Sequence, residues 1–237
     1  MKKRIIGCLA VSAFAVSLVT ADTIVEPTSV TSTVAGDVES SVNYLINDNA
    51  NLAGYSLHTT NNTEVVLHTG DTLDLLNTVA CHAGNGHKES WTAETSAGTP
   101  VFVFDLGADS SISSTVLWQY GNWGGNLAHA GENDVQDFRM IFHTAAEGNT
   151  FDFTTETADL DTTALRMQNR EINGNVAQQF TFGVTTARYV AMRIDSNYGG
   201  GRNGLGEVTF AIPEPATFGM IAVMAGGLLF VRRRLMV

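Results

Sequence analysis

The chain has 237 residues, 44% of them hydrophobic, with 24 acidic side chains against 13 basic ones and a formal charge of −11. That length suits one domain with a real core, and the acidity repels nucleic acid and anionic lipid, so neither is expected as a partner. Two cysteines, Cys8 and Cys81, are too few for a disulfide framework.

The N-terminus reads as an address. Lys2-Lys3-Arg4 is a cationic opening, Ile5 to Val19 is an apolar run, and Val19-Thr20-Ala21 places small residues before Asp22. This layout predicts a signal peptide over 1–21, cut by signal peptidase. A lipoprotein would need a cysteine at the end of the apolar run, and Cys8 stands near its start. Cys8 leaves with the signal, and the remaining lone thiol of Cys81 is expected to be buried. Residues 22–37 are rich in Thr, Ser, Val and Ala and read as a linker or an irregular strand.

From 38 to 212 the pattern is strand and turn. Val101–Gly107, Thr115–Gly121, Phe138–His143, Phe151–Thr154, Gln179–Gly183, Tyr189–Ile194 and Val208–Ile212 are short β-branched and aromatic runs broken by Gly, Asn and Asp. Such runs predict an all-β domain, an antiparallel β-sandwich or jelly roll. Asp71–Ala80 and Thr162–Arg170 are the two helix candidates. Phe102, Phe104, Trp118, Phe142, Phe180, Phe182, Tyr189 and Phe210 are read as core.

The C-terminus carries a second address at 213–237. Pro213-Glu214-Pro215 is rigid and extended, Ala216 to Val231 holds 16 residues without a charge, and Arg232-Arg233-Arg234 follows. The segment 216–231 is a predicted transmembrane helix, slightly short of the usual ~20 residues, with arginines that favour the cytoplasmic face. Together these elements resemble the PEP-CTERM sorting signal, which exosortase-type enzymes recognise in Gram-negative bacteria. The resemblance implies an exported protein, anchored transiently in the inner membrane and then carried to the cell surface or extracellular matrix. Removing both ends leaves seven basic and 23 acidic residues, a charge of −16.

The ordered set Val101-Phe102-Val103-Phe104-Asp105-Leu106-Gly107 with Trp118, Asp137–Phe142 with Asn149-Thr150-Phe151, Ala187–Ile194, and Gly204–Phe210 resembles the discoidin, or coagulation factor type C, domains. The resemblance implies the galactose-binding-like sandwich and a non-catalytic module that binds ligands through loops at one end.

Tyr120–Asp134 is a long Gly- and Asn-rich loop with Trp123 at its crown. A flat indole suits the apolar face of a pyranose, and neighbouring polar groups suit its hydroxyls. Trp123, Asn122 and His129, faced by Tyr198 and Arg202 from the loop before the last strand, are the candidate ligand residues. The expected ligand is carbohydrate, an exopolysaccharide. The resemblance also implies a structural calcium held by Glu207 against the loop 83–91, with Asn85 as partner. Relatives usually carry Asp-Gly where this chain has Ala83-Gly84.

Cys81-His82 and His87 match no common zinc spacing. GxSxG, HExxH and phosphate-loop motifs are absent from the sequence, so no enzyme is expected. Alternative readings are a structural or adhesive envelope or biofilm protein without a small ligand, and a polysaccharide hydrolase.

Overall fold

The computed structural model describes residues 23–37, 41–46, 57–59, 64–65, 69–70, 78–80, 90–120, 131–165 and 175–212. The predicted signal peptide, Cys81, the predicted transmembrane segment 216–231 and the predicted sorting residues Pro213, Glu214, Pro215, Arg232, Arg233 and Arg234 lie outside them. Among the described residues no helix is long and apolar enough to cross a membrane.

In chain order the strands are β1 (Thr23–Val25), β2 (Ser29–Ser32), β3 (Leu57–Thr59), β4 (Glu64–Val65), β5 (Thr78–Ala80), β6 (Trp91–Glu94), β7 (Val101–Gln119), β8 (Asp137–His143), β9 (Leu160–Thr163), β10 (Asn175–Val176), β11 (Gln178–Ile194) and β12 (Arg202–Ile212). Among the described residues, 3-10 helices cover Val42–Leu45 and Thr95–Ala97. The protein is mostly β and its strand pairs are antiparallel.

The long strands β7 and β11 pair with each other from Gln178↔Leu117 to Arg193↔Val101, with register breaks between Thr181 and Thr185 and between Ala187 and Tyr189. Breaks of this kind bend a strand. Gly107, at φ +82, begins the irregular stretch on β7. On one side of that stretch β7 pairs β2 along Phe102–Asp105, and β11 pairs β8 along Tyr189–Ile194, with β9 at the edge. On the other side β7 pairs β12 along Ser114–Gln119, and β12 holds β1 and β6. The sheet therefore has two leaves.

Ring contacts show that the leaves face each other. Phe104 of the first leaf meets Phe210 of the second at 5.7 Å and 71°. Trp91 of β6 meets Phe102 at 4.7 Å and 88°. Phe138 of β8 meets Phe180 at 5.1 Å and 85°, and Phe142 meets Phe182 at 4.7 Å. The first three pairs are edge-on, which suits aromatic quadrupoles, and Phe142 and Phe182 are tilted at 43°. The predicted sandwich is present. A separate sheet in the order β10-β5-β3-β4 lies against β7.

Several expectations need correction. The run at 101–107 and the run from 115, as far as Gln119, belong to one strand, as do those at 179–183 and 189–194. Of the two readings of residues 22–37, linker or irregular strand, the strand holds within 23–37, because β1 pairs β12 and β2 pairs β7. Phe151–Thr154 is a turn: Asp152 accepts from the Thr154 N–H at 2.9 Å and the Thr155 hydroxyl at 2.8 Å. Such local side-chain bonds compete with a strand ladder. Phe151 stacks on His143, and Phe153 lies 5.2 Å from the Arg193 guanidinium. The helix candidate 162–170 begins as strand, since Phe138 pairs Thr162 and Asp159 accepts from the Phe142 N–H at 2.8 Å; its remainder from 166 lies outside the described residues. The candidate 71–80 ends in β5, and 71–77 lie outside. Tyr189 is only half-buried, with Arg188 4.9 Å above its ring.

Arg188 also donates to both oxygens of Asp105, at 3.0 and 3.2 Å, and the Gly107 N–H donates to one of them at 2.8 Å. The Arg188 bond holds the Asp105 carboxyl below the usual carboxylate range, against partial burial. A depressed folded-state value means stability that is present above the ordinary carboxylate range and lost as pH falls through the depressed one. Asp105→Asn removes that share. The expected result is an unfolding temperature that declines less steeply than wild type between neutral pH and pH about 3. Parallel acid limbs in calorimetry count against the role given to this pair.

Candidate functional site

At one end of the sandwich three segments are pinned together. Val135 donates its N–H to Gln119 Oε1 at 2.9 Å and accepts from Gln119 Nε2 at 2.7 Å. Gln136 donates to Ser196 O, and Ala164 donates to Gln136 O, at 2.9 and 2.8 Å. Gln178 grips the Leu165 backbone from both sides, at 2.6 and 2.8 Å. Segment 131–136 is thus fixed to 164–165 and to 195–203.

The last segment is shaped by Asn197. Its Nδ2 donates to Gly200 O at 3.0 Å and Arg202 O at 2.6 Å, and its Oδ1 accepts from the Gly199 N–H at 2.9 Å. Gly199 has φ +93, a left-handed conformation that favours glycine. Asn133 holds the same segment from below: its Oδ1 accepts from Arg202 N at 3.2 Å and its carbonyl from Gly204 N at 2.8 Å. The Gly/Asn-rich composition is what makes this tight turn possible.

Two sequence-predicted ligand residues lie on this structure. Tyr198 is half-buried and donates its hydroxyl to Ala164 O, which locks the ring against the neighbouring segment. The Arg202 side chain is 38% exposed, and its Nη1 lies 3.4 Å from Asp37 Oδ2. Trp123, Asn122 and His129 lie outside the described residues. The residues that flank segment 121–130, Tyr120 and Gly131, are both at this end: Tyr120 packs on Gly204 and Gly131 O accepts from Asp134 N. Burial pushes the Tyr120 phenol up to about 12; Arg202 opposes that rise, while Asp37 and Asp134 add to it.

Asp37 is the residue that sequence reading missed. It closes the Thr- and Ser-rich N-terminal stretch, and nothing local marks it. The Thr92 hydroxyl donates to its Oδ2 at 2.9 Å, and its own N–H donates to Thr92 O at 2.8 Å.

Glu207 lies directly across from Trp118, just after a register break that follows Leu205. Its side chain is completely buried. Asn85, its predicted calcium partner, lies outside the described residues. Among the described residues no three His, Cys, Asp or Glu side chains are grouped to hold a metal. Calcium takes six to eight oxygens, from carbonyls as well as carboxylates.

No protein-family model and no curated protein matches the chain. Among solved structures, the chain is similar to the family 32 CBM from C. perfringens NanJ in complex with galactose, at 10% identity and TM-score 0.45, over 81% of this chain and 99% of that one. It is similar to truncated AlyQ with CBM32 and alginate lyase domains, at 17% identity and TM-score 0.45, over 83% of this chain but 35% of that one. A third is the lectin domain of Lectinolysin complexed with Lewis B antigen, at 12% identity and TM-score 0.44, over 79% and 93%. These neighbours are carbohydrate-binding modules and lectin domains, some of them parts of enzymes. All three scores are below 0.5 and assign no ligand or activity to this chain.

Proposed function

We propose that this chain is an exported, non-catalytic module that binds carbohydrate where segments 131–136, 164–165 and 195–203 converge. The observation that carries this reading is the braced segment bearing Tyr198 and Arg202, fixed before any ligand arrives. A pre-organised set of directed polar groups beside an aromatic ring suits sugar hydroxyls, because little ordering entropy remains to be lost. The order of the discoidin-like sequence segments supports the same reading. Trp123, Asn122 and His129, on the segment between Tyr120 and Gly131, complete the proposed set.

The two terminal segments support a route: signal peptidase, transient residence in the inner membrane through 216–231, exosortase-type processing, and then the cell surface or extracellular matrix. The ligand on this reading is an exopolysaccharide. Glu207 with Asn85 is proposed to hold a structural calcium ion.

Polysaccharide pull-down tests the reading. Trp123→Ala is expected to lose about 2 kcal/mol of binding, as truncation of a central aromatic does; unchanged retention removes Trp123 from the site. The same samples melted with calcium and with a chelator test the ion. The expected result is a lower unfolding temperature under chelator, and identical melts refute the calcium assignment.

A further inference from the structure

Arg202 and Asp37 form a donor and an acceptor side by side. Both side chains reach solvent, at 38% and 28% exposure, while remaining in contact at 3.4 Å. Each is braced from behind. Thr92 holds Asp37 through its hydroxyl and its carbonyl, and Asn133 accepts from the Arg202 N–H. A sugar hydroxyl both donates and accepts. Two hydroxyls on adjacent ring carbons can therefore meet this pair together, one donating to the Asp37 carboxylate and the other accepting from the guanidinium.

The charge around the pair decides what kind of sugar fits. Arg202 is already matched by Asp37. Glu94 is its cross-strand neighbour on β6. The Glu132 carbonyl binds the Gly200 N–H, and Asp134 is bridged to Gly204. Asp134 is buried, and the Arg139 and Arg193 side chains pair with Asp195. The surrounding chain is itself strongly acidic. A ligand carboxylate or sulfate entering beside this pair meets the Asp37 carboxylate, while Arg202 is already matched by it.

We infer that the ligand is an uncharged sugar with vicinal hydroxyls, read by Asp37 and Arg202 acting together. This inference rests on the carbohydrate reading above. Uronate polymers and sulfated glycans are disfavoured as ligands of this site.

Affinity electrophoresis of the full-length chain tests it. The gels contain a neutral polysaccharide (galactan, glucan or mannan) or an acidic one (alginate or polygalacturonate), each at low and high salt. The expected result is retardation in at least one neutral gel and none in the acidic gels at low salt. Asp37→Asn is expected to weaken neutral binding about tenfold, the size of a lost hydrogen bond to a charged group, with an unchanged melting temperature. Should D37N fail to fold, Arg202→Gln gives the same readout from the donor side. Retardation of wild type in the acidic gels overturns the inference and leaves the carbohydrate reading standing. Retardation in no gel overturns both. Full neutral binding by folded D37N, or by R202Q in its place, removes the pair from the site.

Discussion

Phe104→Ala is expected to cost about 3–5 kcal/mol of stability, the usual range for truncating a buried phenylalanine. Phe104 has 0% exposure. It sits in the first leaf, beside Phe102 at 6.4 Å, and crosses to Phe210 in the second at 5.7 Å. Its removal leaves a void between two surfaces that close strand pairing holds in place, so the void cannot collapse cheaply. Total stability of a domain is about 5–15 kcal/mol, so the loss takes a large share of it. At roughly 2–4 °C per kcal/mol for a domain of this size, the melting temperature falls by about 10 °C. Val184→Ala is the control: Val184 is 65% exposed at a register break, and a change within about 0.5 kcal/mol is expected. Equal denaturation midpoints for the two variants would show that the leaves are not joined through Phe104.

The alternation that announces a strand was readable only where one face is covered. Phe102, Phe104 and Leu106 are buried between half-buried Val101, Val103 and Asp105. From Ser114 to Gln119 every residue is buried. Val116 and Trp118 lie on the face opposite Leu117 and are as fully buried as it is. Period two vanishes when both faces are covered, so Trp118 was recognised as core while the covering of its face was not. Gly107 and Gly183 read as strand ends. The chain instead carries both strands past them with breaks in register, which are set by partners some 70 to 80 positions away. The turn at Asp152 was written in its own Asp-Phe-Thr-Thr sequence, yet the Phe/polar alternation masked it. Asp37 was invisible for a different reason. Its partners Thr92 and Arg202 are distant in sequence, and one acidic residue among 24 carries no local mark. By contrast, Tyr198 and Arg202 stood out because Gly199-Gly200-Gly201 between them announces a loop.

Gly204→Ala is expected to damage both stability and binding. A Cβ on Gly204 would lie 2.5 Å from Tyr120 Cγ, 2.7 Å from its Cβ and 2.8 Å from its Cδ1. Rotating the ring moves Cδ1 but leaves the Tyr120 Cβ where it is. Tyr120 is 2% exposed, so the side chain as a whole has no room to withdraw. The backbone of β12 or of residues 119–120 has to shift, at about 1–3 kcal/mol for an overpacked site. That shift is not confined to Gly204. The Gly204 N–H bonds Asn133 O, and Asn133 Oδ1 accepts from Arg202 N. Displacing β12 therefore moves the Arg202 guanidinium relative to Asp37, and carbohydrate binding weakens at temperatures where the variant is still folded. Gly201→Ala isolates the steric cause. Gly201 lies three residues earlier, just before β12, has nothing within 4 Å of its would-be Cβ and has no positive φ, so the variant's stability is expected to stay within about 0.5 kcal/mol of wild type. Chemical denaturation of the two variants, followed by polysaccharide titration of the folded protein, separates them. Matching denaturation midpoints would mean that the contact between Tyr120 and β12 does not set the geometry of this end of the sandwich.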